Sequence, residues 1–179
     1  MSRNEREWAL ADRFSEFADE YIYPSRWPRA RIEKIADRDS QRTDGDKRLV
    51  LPEATYCVDE KAYSTLWDGC LVELIQDVPT KNMGWFYDLE RCDYLICGYY
   101  IDSSPRPAVV YKVIWDELKA RYVELAIAKA QGIRLLHSPR GYGLTVFAKI
   151  PWGDLTGICE TLYRDEDLMR NRYQLGGAA

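Results

Sequence analysis

Apolar residues recur at the helical period in Leu10, Phe14, Phe17 and Tyr21, with Glu7, Asp12, Glu16 and Asp19 elsewhere around the wheel. The chain should therefore open with an amphipathic helix. Pro24 and Pro28 predict its end, and Arg29–Asp39, with Ile32, Ile35 and Ala36 inward, reads as a second, shorter helix. Thr43-Asp44-Gly45-Asp46 marks a turn. Lys47–Leu51 and Ala54–Asp59 are strand-like runs on either side of Pro52-Glu53, which predicts a hairpin. Cys70–Gln76, Asp93–Tyr100 and Ala108–Trp115 read as further strands, with Trp85–Arg91 as one or two helical turns after Gly84. Asp116–Gln131 carries Leu118, Tyr122, Leu125 and Ala126 on one side and should be a long helix stopped by Gly132. Ile133–His137 and Leu144–Lys149 predict a strand pair around Ser138–Gly143. The residues from 164 to 179 are polar, end in Gly-Gly-Ala-Ala and are expected to fray. No repeat, low-complexity tract or long linker interrupts the pattern. The order of elements predicts one α/β domain over residues 1–163, a sandwich with a mixed sheet.

A chain of 179 residues can bury one proper core and is short for two. With 46% hydrophobic and 30% charged residues it has globular composition. No apolar run approaches the ~18 residues a spanning helix needs, and an acidic amphipathic stretch follows the N-terminus instead of a secretory signal. A cytoplasmic location with no membrane partner is expected. The net charge of −4 excludes a protein that holds nucleic acid by bulk charge alone. It leaves a nuclease open, because metal-binding carboxylates add to the negative count. Six Trp and thirteen Tyr favour a packed sheet with a stacking surface. The five cysteines form no CxxC pair, sit among apolar neighbours and read as reduced core thiols. His137, the single histidine, has no companion ligands or nucleophile beside it.

The segment that carries chemistry is Asp44-Gly45-Asp46 followed by Cys57-Val58-Asp59-Glu60-Lys61. If the hairpin turns on Pro52-Glu53 with a two-residue loop, Asp46 falls opposite Asp59, and Lys61 shares the face of Asp59. Carboxylates on directly opposite positions approach to about 5 Å and repel, unless a divalent cation bridges them. Lys61 beside them would orient a water or stabilise charge on a phosphate. Glu73 shares a strand face with Leu71 and Ile75, and burying a carboxylate there is costly unless it is paired or metal-bound. A neighbouring strand would bring it to Asp59 and complete an oxygen site suited to Mg2+ or Mn2+. The plainer reading of Asp-Glu-Lys at a strand end is a set of solvated turn residues with a weak ion pair.

Asp46, followed thirteen residues on by Asp59-Glu60-Lys61, resembles the Asp…(Asp/Glu)-x-Lys signature of the PD-(D/E)XK nuclease superfamily. The stretch 41–101 is similar to small bacterial and phage members of that superfamily. It shares with them Asp59-Glu60-Lys61-Ala62, Glu73-Leu74, Gly84-Trp85 and Asp93-Tyr94-Leu95-Ile96. The resemblance implies a restriction-endonuclease-like three-layer α/β sandwich, with a mixed central β-sheet flanked by helices. Residues 1–39 would form N-terminal helices and 41–101 the catalytic core. It also implies Asp46 and Asp59 as metal-binding carboxylates, the Glu60 backbone carbonyl as a further metal ligand, and Lys61 as the catalytic lysine. Gly45 stands where the signature has proline, and Glu73 matches no part of it. The activity implied is Mg2+-dependent (or Mn2+-dependent) hydrolysis of nucleic acid, DNA first, with a homodimer as the simplest way to cut both strands. A catalytically inactive module of the same fold, or a phage accessory protein working through protein contacts, is the alternative.

Cations supply candidate phosphate contacts. Arg38, Arg42, Lys47 and Arg48 lie nearest the carboxylates, Lys81 precedes a helix-opening loop, and Gln41 is five residues from Asp46. Gln41 also suits a plain helix-end role. Arg26, Arg29, Arg31 and Lys34 surround Trp27, although Glu33, Asp37 and Asp39 balance them as a solvated face would.

Overall fold

The amphipathic N-terminal stretch forms α1 (Arg3–Phe17), then one wide π turn (Ala18–Ile22), then α2 (Tyr23–Arg26) in an unbroken helical run. The computed structural model describes residues 3–101, 104–127, 134–140 and 143–170. Pro24 does not end the helix as predicted. The wide turn resets the hydrogen-bond register, with Tyr23 N–H donating to Ala18 O. Pro24 thereby falls in the first turn of α2, where its missing N–H costs nothing.

The predicted helix over 29–39 is also replaced. Arg31–Lys34 is β1, an edge strand paired with β2 (Lys47–Val50), and the helix begins later as α3 (Arg38–Asp44). Ile32 and Ile35 fit a helical period, but strand pairing decides a short segment beside an open sheet edge. Asp37 caps α3, accepting from Ser40 N–H at 2.7 Å.

The main sheet has six strands in the order β1-β2-β3-β6-β7-β10. The last four are Thr55–Tyr63, Tyr94–Tyr99, Val109–Ile114 and Cys159–Arg164. β3 and β6 are parallel and every other pair is antiparallel, so the sheet is mixed, as expected. The hairpin register is the predicted one, with Lys47 opposite Val58 and Val50 opposite Thr55. A second, four-stranded sheet in the order β5-β4-β9-β8 was not foreseen. Its members are β4 (Gly69–Asp77), β5 (Asn82–Met83), β8 (Arg134–Arg140) and β9 (Gly143–Pro151). Among the described residues the remaining helical segments are α4 (Trp85–Asp88), α5 (Trp115–Ile127), a 3-10 turn (Trp152–Leu155) and a short turn over 166–170.

Period-two alternation divides the core between the two faces of the main sheet. Leu95, Cys97 and Tyr99 of β6 pack with Val72 and Leu74 of β4, Phe86 of α4 and Leu118 of α5. Ile96 and Tyr100 pack the other way, with Phe14, Ala18 and Ile22 of the N-terminal helix. The layers are helix, sheet, then a second sheet with α4 and α5, so helices alone do not cover both faces. A Cβ on Gly98 would come within 2.3 Å of the Phe14 ring, so α1 rests directly on the β6 backbone. Gly98→Ala is expected to destabilise the protein by about 1–3 kcal/mol, checked by urea unfolding against wild type.

The C-terminal part is more ordered than its polarity predicts. β10 completes the sheet, Asp165 and Met169 are buried, and Asp165 Oδ1 accepts from the backbone N–H groups of Asp167 and Leu168. The predicted helix end at 128–132, part of the turn after Arg140, and residues 171–179 lie outside the described residues.

Candidate active site

Gly45 ends α3 with φ of +96°, where its N–H donates to Gln41 O. A Cβ there would stand 2.6 Å from Val58 O, so only glycine lets the chain turn this tightly into β2. Asp46 follows at once. Its N–H donates to Val58 O at 2.8 Å, and its Oδ2 accepts from Glu60 N–H at 2.8 Å. One carboxylate oxygen of Asp46 is thus fixed by the backbone of β3.

Along β3 the side chains alternate. Val58, Glu60 and Ala62 face the N-terminal helix, whereas Asp59, Lys61 and Tyr63 face the second sheet. Lys61 Nζ lies 2.5 Å from Asp59 Oδ2, although that buried oxygen has no partner in hydrogen-bond geometry. Lys61 also sits over the Trp85 ring, 4.9 Å from its centroid. Burial, with the nearby Asp46 charge adding to it, raises the Asp59 pKa to about 7 against the pull of Lys61. Burial alone would lower the Lys61 pKa, but the charges of Asp59 and Asp46 outweigh it and hold the ammonium protonated.

Glu73 reaches the site by a different route from the one expected. β4 pairs with β5 and β9, not with β3, so no ladder joins Glu73 to Asp59. The β4–β9 register slips between Glu73 and Ile75, which breaks the simple alternation with Leu71 and Ile75. Gly84 packs so closely here that a Cβ would stand 2.1 Å from Glu73 O.

Asp46, Asp59, Lys61 and Glu73 nevertheless line one cavity of about 570 Å3. Its walls are Arg38, Asp39, Gln41 and Arg42 from α3, and Met83, Trp85, Asp88 and Leu89 from β5, α4 and the residue after it. Trp85, Asp88 and Gln76 went unmarked as site residues in the sequence. Trp85 alone left a signal, the Gly84-Trp85 pair opening a helical turn.

The other predicted residues divide. Glu60 turns its side chain away from the cavity, where Oε1 accepts from Tyr23 Oη at 2.5 Å and meets Lys47 Nζ at 3.1 Å. Lys47 is 2% exposed and also contacts Asp19 at 2.5 Å, so it is no phosphate contact. Arg48 pairs with Asp44 at 2.9 Å, and Arg42 with Asp88 at 2.8 Å on the cavity wall. Gln41 lines the cavity and donates one side-chain N–H to Ile35 O at 2.5 Å. Lys81 is exposed, at φ of +59°, and does not line the cavity.

Among the described residues, no group of three or more His, Cys, Asp or Glu side chains is placed to hold a metal ion. The cavity offers the oxygens of Asp46 and Asp59, one of them buried beside the Lys61 ammonium. A hard cation that takes one or two carboxylates, and its remaining ligands from water and substrate phosphate, fits such a donor set. No helix among the described residues is long and apolar enough to cross a membrane. Compared with known proteins, the chain matches no family model, no curated protein and no solved structure.

Proposed function

We propose that this protein is a metal-dependent nuclease with a restriction-endonuclease-like core, hydrolysing phosphodiester bonds of nucleic acid, DNA first. One observation carries the reading. Asp46, Asp59, Lys61 and Glu73, marked by spacing and burial rules in sequence, converge from the bend before β2 and from β3 and β4 on a single cavity. The hairpin that presents the first three lies inside a mixed sheet, beside the parallel strand β6, in keeping with that fold class.

Asp46 and Asp59 would hold Mg2+ or Mn2+, which when bound supplies positive charge to a phosphate oxygen and acidifies a ligated water. In the hydrolysis, the water oxygen bonds to phosphorus, one P–O ester bond breaks, and the departing oxygen takes up a proton. Lys61 orients the water and faces the charge that develops on the phosphate. Glu73 extends the carboxylate wall, and the backbone link from Glu60 N–H keeps Asp46 in place.

The alternative, an inactive module of the same fold, draws on the shortage of side-chain metal ligands. Incubating the purified protein with linear, circular and single-stranded DNA in Mg2+, Mn2+ or EDTA separates the two. Metal-dependent cleavage that Lys61→Ala abolishes is the expected outcome. Absence of cleavage, together with no Mn2+-induced rise in melting temperature, would leave the binding module.

A further inference from the structure

Two carboxylates of the proposed nuclease site are sunk into the molecule, with Asp46 and Lys61 half-buried. Asp59 is 4% exposed and Glu73 6%. The walls above them are tied together, since Arg42 Nε donates to Asp88 Oδ2 at 2.8 Å and both side chains line the cavity. A volume of about 570 Å3 is that of a small-molecule pocket, with room for roughly one or two nucleotides. A duplex is a stiff rod that a cavity of this size cannot take in whole, whereas a single strand can bend its backbone into it.

The cations tell the same story independently. Proteins that hold duplex DNA electrostatically neutralise several phosphates at once. Here Arg42 is paired with Asp88, Arg48 and Arg91 with Asp44, and Lys47 with Asp19 and Glu60. Arg38 lines the cavity and is exposed, and among the described residues it has no carboxylate within ion-pair distance.

We infer that the site takes an unpaired strand, whether a free single strand, an overhang or a flap, and admits its phosphates past Arg38, while intact duplex is excluded. The cleavage in this inference rests on the nuclease reading; the binding preference does not. The test uses the full chain with fluorescent oligothymidylate and a blunt hairpin duplex of matched length. Anisotropy is followed at several salt concentrations in EDTA and again in Ca2+. The single strand should bind at least about tenfold tighter than the duplex, with a salt slope of roughly one or two phosphates. Arg38→Glu should weaken strand binding by about tenfold and Arg38→Lys should largely keep it, since an exposed side chain with no ion-pair partner can change without unfolding the protein. With Mn2+, a duplex bearing an overhang should be cut only in its unpaired part. Duplex bound as tightly as single strand, blunt duplex cut as fast, or no binding of either would overturn the inference. Tight strand binding with no cleavage in any metal would instead remove the nuclease reading and leave the strand preference standing.

Discussion

Asp59→Asn should lower Mn2+-dependent cleavage by at least about a thousandfold and, in EDTA at pH 8, raise the stability of the protein. The first effect follows from removing an anionic oxygen from the centre of the site while keeping its shape. The second follows from burial. The folded-state pKa of Asp59 lies at about 7, well above the ordinary value of 3.8. Between these values the folded protein binds a proton that the unfolded chain has released. The penalty for ionising Asp59 is therefore absent below about pH 4, grows as pH rises and is complete above about pH 7. Asn carries no such penalty, so the stability difference between variant and wild type should grow across that window. Each pKa unit is worth about 1.4 kcal/mol, and the raised value already includes the attraction of Lys61, so the gain at pH 8 is roughly a few kcal/mol. Thermal melts at pH 4, 6 and 8 in EDTA check it. A variant less stable than wild type at pH 8 would show that the pairing with Lys61 outweighs desolvation. A buried carboxylate that weakens its own fold is a familiar trade between stability and function.

How far the site could be read in the sequence depends on what fixed each residue. Asp59 and Lys61 belong to one hairpin with a two-residue turn, and Asp46 immediately precedes its first strand, so local rules bring the three close in sequence and space. The ladder keeps the expected register as far as Lys47 opposite Val58, where β2 begins. Asp46 lies in the bend just before it, held by Val58 O and Glu60 N–H rather than by a ladder position opposite Asp59. Glu73 was legible as a costly carboxylate but not as a member of another sheet, because the partner of β4 is β9, more than sixty residues away in the chain. Lys47 looked like a phosphate contact because it lies beside the carboxylates in sequence, yet it points at the N-terminal helix. Nothing local announces that Asp19, on the π turn, will meet it there. β1 was lost for a similar reason: Ile32, Ile35 and Ala36 recur at a helical spacing, and only pairing with β2, later in the chain, makes Arg31–Lys34 a strand. β10 and the residues after it show the same limit, since their polar sequence hides the burial of Asp165.

Lys47→Met is expected to be the most destabilising single change on the helix-facing side of β2, at about 3–5 kcal/mol. Its Nζ contacts Asp19 at 2.5 Å, Glu60 at 3.1 Å and Ser15 O at 3.2 Å from a side chain 2% exposed. The Glu60 side chain is 6% exposed, and losing Lys47 would leave its charge with only the Tyr23 hydroxyl as partner. The cost is that of an uncompensated buried charge more than of a missing contact. Glu60→Gln in the same chain should therefore recover much of the loss, because a neutral amide can still accept from Tyr23. Urea unfolding of wild type, both single variants and the double variant gives the coupling directly. The same network carries a consequence for the cavity across the sheet, since the Glu60 N–H that holds Asp46 belongs to the residue Lys47 anchors. Lys47→Met should accordingly reduce Mn2+ affinity as well as stability, and the Lys47→Met/Glu60→Gln pair should restore both. Recovery of stability with no recovery of Mn2+ binding would show that the helix-side network braces the fold without setting the position of Asp46.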